Sequence, residues 1–99
     1  MKGRGRRGTT LKKYLSGEMA DPEFRRFYEE ADVELRVALE VAKAREAAKM
    51  TQGQLARVLK TKQQTISRIE LGAQNVTVET LDRIARALKG SLQVRIITA

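Results

Sequence analysis

The chain has no cysteine and no histidine among its 99 residues, and only four aromatic side chains. Without cysteine it can form no disulfide and no thiolate metal site, and without histidine it lacks the commonest general base. Carboxylate and lysine chemistry remain, but no arrangement of these residues suggests a catalytic site. We therefore expect no metal, no other cofactor and no enzymatic activity.

Long apolar runs are also absent. No stretch approaches the roughly 20 apolar residues that cross a membrane, and the N-terminal residues lack the apolar core of a secretory signal. These absences favour a cytoplasmic protein without membrane contacts. A chain of this length forms one small domain, whose modest core would gain stability from dimerisation.

Positive charge is abundant but unevenly distributed. The net charge is +8; residues 1–17 carry six basic residues and no acid, and residues 18–49 carry nine acids against six bases. Residues 50–69 again carry four basic residues and no acid. Two basic regions, which suit a polyanionic partner, therefore flank an acidic one.

Two helix starts lie ten residues apart after Met50. Thr51 is followed three residues later by Gln54, and Thr61 is followed in the same way by Gln64. A threonine hydroxyl at the start of a helix accepts a hydrogen bond from a first-turn amide, while the glutamine reaches back to the threonine backbone. The pattern predicts two capped helices joined by a tight corner.

These two helices differ in how much of their surface is apolar. The first, over residues 52–59, has three apolar core positions, Leu55, Ala56 and Leu59. The second, over residues 62–70, has only two, Ile66 and Ile69. Its remaining polar residues are Lys62, Gln63, Gln64, Thr65, Ser67 and Arg68. A face of hydrogen-bonding side chains without acid indicates DNA as the partner, although a solvated surface is the ordinary alternative.

This segment resembles the helix-turn-helix of the phage-repressor (Cro-type) class and of the wider XRE family. The matching residues are Thr51-Gln52, Leu55-Ala56, Thr61 through Thr65, Ile66 and Ile69-Glu70, followed by Gly72. The resemblance covers residues 35–90 and implies that the second helix lies in the major groove of DNA. One departure is Lys60, where the family usually has glycine at the corner.

The resemblance also implies which residues contact DNA. Gln63 and Gln64 match base-reading positions, and a glutamine amide can pair with adenine as an arginine can with guanine. Gln52 matches a position that touches a phosphate. The predicted DNA-binding set is Gln52, Thr61, Lys62, Gln63, Gln64, Thr65, Ser67, Arg68, Gln74 and Asn75.

An ion pair is the second feature that the resemblance implies. In the XRE family an arginine at the position of Arg45 pairs with the glutamate at the position of Glu70. Such a pair would join the first helix of the module to the end of the second helix of the helix-turn-helix. A surface arginine of little energetic consequence is the alternative.

About a third of the chain precedes this module. We expect residues 1–9 to be a disordered basic arm, either a DNA-phosphate contact or a solubilising tail. Residues 10–34 form a predicted helical extension, in which Asp21, Pro22 and Glu23 start a helix. Its apolar anchors are Leu11, Tyr14, Leu15, Phe24, Phe27 and Tyr28.

Residues 91–99 change to a period of two. Leu92, Val94 and Ile96 alternate with polar residues, which predicts a short half-buried strand. A lone strand must pair with something; a second copy of the chain is favoured over another chain or the N-terminal segment. The expected fold is all-α: a five-helix phage-repressor-like domain with an N-terminal helical extension and this C-terminal strand.

The arrangement as a whole resembles the HigA family of antitoxins from type II toxin-antitoxin systems. The residues concerned are Asp21 through Phe24, Ala44-Arg45, the helix-turn-helix and the terminal strand. The resemblance implies a homodimer that binds operator DNA, represses its own operon and neutralises a RelE/HigB-like toxin that cleaves messenger RNA. The toxin contacts would be the six apolar anchors of the extension.

Two other functions stay open. A stand-alone Cro-type repressor would use the extension only to enlarge its fold. An RNA- or ribosome-associated bridging factor would use the basic arm as its main contact and would bind nucleic acid without sequence preference.

Overall fold

The computed structural model describes residues 22–98, which form five helices. These are α1 (Pro22–Glu30), α2 (Val33–Ala47), α3 (Gln52–Leu59), α4 (Gln63–Glu70) and α5 (Val78–Ala87). The all-α architecture is therefore confirmed for this part of the chain. The predicted arm over residues 1–9 and the anchors Leu11, Tyr14 and Leu15 lie outside the described residues.

Local signals position most of the helix starts. Pro22 is the first residue of α1, and the Asp32 carboxylate accepts a hydrogen bond of 2.8 Å from the Leu35 amide to cap α2. Thr51 and Gln54 form the predicted capping box at α3, and Thr77 caps α5. These interactions join residues three positions apart, so neighbouring sequence is enough to form them.

The core lies where α2 to α5 meet. Its buried residues are Val41, Leu55, Ala56, Leu59, Ile66, Ile69 and Ile84. A smaller cluster joins α2 to α1 through Ala31, Leu35, Ala38 and Leu39, with Phe27 and Tyr28 packed against it. Helix α2 contributes to both clusters, so it connects α1 to the helices that carry the polar face.

The C-terminal end of α2 is exposed, whereas its middle is buried. Helix α2 ends at Ala47, and Ala47 and Ala48 are exposed. Earlier on the same helix, Val41 and the side chain of Arg45 are buried. Lys49, with φ of 60°, adopts the left-handed backbone conformation just after this helix end.

The C-terminal strand is not formed in the described chain. Residues 91–98 have no regular structure, and Val94 and Ile96 are 71% and 86% exposed, while Leu92 is half-buried. A strand exists only through hydrogen bonds to a neighbouring strand, and residues 22–98 contain no other strand to supply them. Within the same residues, no helix has the length and apolar character needed to cross a membrane.

Candidate nucleic-acid interface

The corner between α3 and α4 closes through backbone hydrogen bonds around Lys60. The Lys60 amide donates to the Arg57 carbonyl at 3.1 Å, and the Thr61 amide donates to the Ala56 carbonyl at 2.9 Å. Lys60 has φ of 59° and ψ of 45°, the left-handed conformation that usually falls to glycine in this motif. The corner thus keeps the geometry of a helix end without the usual residue.

The predicted cap of α4 at Thr61 is wrong. The N-cap is Lys62, with extended backbone and no side-chain cap bond, and the helix begins at Gln63. The N-cap residue of a helix has an extended backbone, and Thr61 cannot take this position because its amide closes the corner by bonding to the Ala56 carbonyl. Lys62 takes it instead, and a lysine side chain has no hydrogen-bond acceptor. Thr61 and Gln64 are therefore not held in a capping box, and both side chains are exposed.

Helix α4 separates its apolar side from its polar side sharply. Ile66 is 1% exposed and Ile69 is 3% exposed, and both belong to the main core. On the other side Gln63, Gln64 and Arg68 are exposed. Lys62 is also exposed just before the helix, and Thr65 and Ser67 are half-buried along its edges. The structure thus places the polar residues predicted on α4 on one accessible surface.

A buried ion pair holds the end of α4 against α2. Glu70, 5% exposed, accepts hydrogen bonds from Arg45 Nε at 2.7 Å and from Arg45 Nη2 at 3.0 Å. Arg45 Nη1 also donates to the Met50 carbonyl at 2.6 Å. The side-chain bond to Glu70 is the main reason that the pKa of Arg45 is raised above its ordinary value. This fork-like geometry fixes the direction of α4 relative to α2 and α3.

Gln52 takes part in the same network. Its Nε2 atom donates to Glu70 Oε1 at 3.0 Å, and the residue is half-buried at the start of α3. The sequence suggested only a phosphate contact for this glutamine. One of its two amide hydrogens is committed to Glu70, and the second is geometrically independent of that bond.

Gln74 and Asn75 lie in the loop between α4 and α5, and both are exposed. They line a cavity of about 190 Å³ together with Thr61 and Thr65. The corner, the edge of α4 and the following loop therefore meet at one place on the surface. This explains how residues separated by more than ten positions in the sequence can act on the same ligand.

Sequence reasoning missed two residues of this surface. Arg83 of α5 lines the same cavity and donates from Nη2 to the Leu59 carbonyl at 3.0 Å, next to the corner. Gly53 of α3 lies directly against the side chain of Gln63. No sequence pattern identifies either contact, because each joins residues from different helices.

Two of the three anchors predicted on α1, Phe27 and Tyr28, pack against the smaller cluster, which contains no residue of α4. Phe24 is 2% exposed, so it packs within the protein, whereas Phe27 and Tyr28 are half-buried. The Phe24 and Tyr28 rings lie 6.0 Å apart, and the Tyr28 hydroxyl donates to Glu40 Oε2 at 3.2 Å. Burial, followed by the charge of Glu40, raises the pKa of Tyr28.

Comparison with known protein families gives one match. The family model described as helix-turn-helix matches residues 41–94, more than half of the chain, and this range includes α3, the corner, α4 and α5. No curated protein and no solved structure matches the chain.

Proposed function

Since the chain belongs to the helix-turn-helix family of DNA-binding transcription regulators, we propose that it is a sequence-specific repressor that inserts α4 into the major groove. We propose further that it acts as a HigA-type antitoxin of a RelE/HigB-like toxin and represses its own operon. The observation that carries the first proposal is the exposed face of α4, where Gln63, Gln64 and Arg68 stand opposite the buried Ile66 and Ile69.

The polar face of α4 has the chemistry to read base edges. A helix with its side chains is about 10–12 Å wide, which matches the width of the major groove of about 12 Å. Gln63 and Gln64 each carry a donor and an acceptor that fit adenine N7 and N6, and the Arg68 fork fits guanine O6 and N7. These residues carry the proposed sequence preference.

Residues around α4 are proposed to bind phosphates and so to set its register. Lys62 supplies a positive charge beside the helix start, and Thr61, Gln74 and Asn75 meet at the cavity next to it. Gln52 can donate its second amide hydrogen to a phosphate while the first stays on Glu70. Contacts to phosphate fix orientation but carry no sequence information.

The test of the DNA proposal is selection of preferred duplexes from a random pool, followed by competition gel shifts. Gln63→Ala or Gln64→Ala is expected to lower discrimination at the affected base pair by about 1–3 kcal/mol. Glu79→Ala is the control, because Glu79 is also exposed but lies on α5, outside the residues proposed to bind DNA or to join two copies. Unchanged discrimination in both α4 variants would refute the assignment of these glutamines.

The proposed antitoxin role uses the N-terminal extension. Its helix α1 packs on α2 through the smaller cluster, which contains no residue of α4, so a partner on α1 could be bound while α4 holds DNA. Half-buried Phe27 and Tyr28 lie next to the exposed acids Glu29 and Glu30. Aromatic anchors among acids suit the basic surface of an RNA-cleaving toxin.

One observation favours the stand-alone repressor instead. Phe24 is buried, and Tyr28 is already engaged by Glu40 and by Arg36, whose guanidinium lies 5.9 Å from the ring centre. These contacts stabilise α1 without a partner. Co-expression with the neighbouring open reading frame distinguishes the antitoxin from the stand-alone repressor. A neighbouring protein that is toxic when expressed alone and copurifies with this chain supports the antitoxin. If no neighbour is toxic and none copurifies, the stand-alone repressor is supported.

We propose that the repressor is a dimer joined through residues 91–98. Val94, Ile96 and Ile97 expose at least 71% of their surface, which is unfavourable for apolar side chains unless a partner covers them. Pairing with the same segment of a second copy would supply the missing hydrogen bonds and present two α4 helices to two half-sites. Ile96→Lys is expected to shift the protein to monomer in sedimentation velocity, and an unchanged mass would exclude this interface.

A further inference from the structure

Helix α3 approaches the side chain of Gln63 at a glycine. A Cβ atom on Gly53 would lie 3.3 Å from Gln63 Oε1 and 3.8 Å from Gln63 Cδ. The first distance is shorter than ordinary van der Waals contact to a Cβ atom. A side chain on residue 53 would therefore require the Gln63 carboxamide to shift by a few tenths of an ångström.

The local backbone does not require glycine at this position. Gly53 lies inside α3, and among residues 22–98 the glycine with positive φ is Gly72. Glycine within a helix is unfavourable relative to alanine, because it loses more conformational freedom on folding. What the glycine provides is the missing side chain, which leaves room for the close approach of Gln63.

The surroundings determine which group would move if a side chain were added. The Thr51 hydroxyl, 3.9 Å from the same Cβ position, is held by the Gln54 amide at 3.0 Å within the capping box. Gln63, by contrast, is exposed, and the distance concerns the far end of its flexible side chain. A methyl group on residue 53 would therefore shift the end of the Gln63 side chain and leave the start of α3 in place.

We propose that Gly53 is a positioning residue that determines base specificity through Gln63. The space above Gly53 lets the Gln63 carboxamide lie against the first turn of α3, and this sets the base edge that the carboxamide meets in the groove. Gln52 does not compete for this space, since its own carboxamide is held by Glu70. The inference rests on the proposed reading of DNA by α4.

The test begins with selection of the preferred duplex by the full-length wild-type protein from a random pool. Affinities for this duplex and for all its single-base variants are then measured for wild type, Gly53→Ala, Gln63→Ala and the double variant. We expect Gly53→Ala to change the preference ratio about 5- to 150-fold, at the base pairs where Gln63→Ala also changes it. In the Gln63→Ala background, Gly53→Ala should change nothing further.

Thermal unfolding distinguishes this effect from damage to the fold. Because alanine favours a helix, Gly53→Ala is expected to raise the melting temperature by several degrees even though the base preference changes. Gly90→Ala is the matched control: its Cβ would lie at an ordinary 3.6 Å from the Ala85 carbonyl oxygen, after α5. We expect this control to leave every base preference unchanged.

Three results would overturn the inference. The first is a Gly53→Ala protein with wild-type preference at every position where Gln63→Ala loses it. The second is an equal effect of Gly53→Ala with and without Gln63. The third is a Gln63→Ala protein that keeps all wild-type preferences. If the wild-type protein itself selects no sequence, the proposed DNA-reading function fails as well, and this outcome is distinct from the other three.

Discussion

Removal of the Glu70 carboxylate tests how α4 is held. In Glu70→Ala, Arg45 loses the acceptors of two hydrogen bonds, of 2.7 and 3.0 Å, and keeps its 2.6 Å bond to the Met50 carbonyl. Gln52 loses its partner as well. Since Arg45 is only 7% exposed, its charge remains buried with one hydrogen-bond acceptor where it had three, and its remaining ion-pair partner is the exposed Glu46 carboxylate, 3.6 Å from Nη2.

The expected loss is large for a domain of this size. Leaving one member of a buried ion pair without its partner costs about 3–5 kcal/mol. Small domains have a total stability of about 5–15 kcal/mol, so the variant would lose a substantial part of it. The melting temperature should fall by about 12 °C or more, measured by circular dichroism together with urea unfolding.

Two companion variants make the result interpretable. Asp82→Ala removes the carboxylate of the exposed pair with Arg86, whose atoms lie 3.0 Å apart, and should cost no more than about 0.5 kcal/mol. Replacing both buried partners, with Arg45→Met and Glu70→Leu, should recover most of the lost stability, because neither charge is then buried. If Glu70→Ala costs no more than Asp82→Ala, or if the double replacement is as unstable as the single one, the reasoning about the buried charge is refuted.

Three smaller effects follow from the local geometry. Lys60→Gly should raise stability by about 1 kcal/mol in urea unfolding, because glycine tolerates the left-handed backbone; Lys60→Ala, which removes the charge but not the strain, should give no such gain. Thr51→Ala should lower stability by about 1 kcal/mol through loss of the α3 cap, and an unchanged urea midpoint would contradict that role. The raised pKa of Tyr28 implies that the folded state holds the phenol proton more tightly, so this stabilisation is complete below about pH 10 and is lost as pH rises through the folded-state pKa. The stability difference between wild type and Tyr28→Phe should therefore shrink above pH 10, and a constant difference between pH 8 and pH 11 would exclude the effect.

Much of the fold follows from patterns between near neighbours. The start of α1 at Pro22, the Asp32 cap of α2 and the Thr51 capping box of α3 depend on residues that are adjacent or three positions apart. The two apolar positions of α4, Ile66 and Ile69, are likewise separated by one helical turn. Such relations can be read from the chain because the helical backbone brings those residues together in any context.

Local patterns are insufficient where the rest of the structure also has to satisfy them. Thr61 and Gln64 have the same spacing as the capping box of α3, yet the corner uses the Thr61 amide to close α3, and Lys62 takes the N-cap position. The alternation of residues 91–98 predicts a strand, which needs a neighbouring strand; residues 22–98 of a single copy provide none, so its pairing with a second copy stays a prediction. In both cases the outcome depends on a requirement outside the local pattern.

The linear chain thus determined its helices, the polar side of α4 and the charge that suits a polyanion. Only the tertiary structure decided that Gln52 bonds to Glu70, 18 positions away, that Arg45 reaches the same carboxylate across 25 positions, and that Gln63 rests on Gly53. The reason is physical: contacts within one helical turn arise from backbone geometry alone, whereas contacts between helices exist only after the core has fixed how the helices pack.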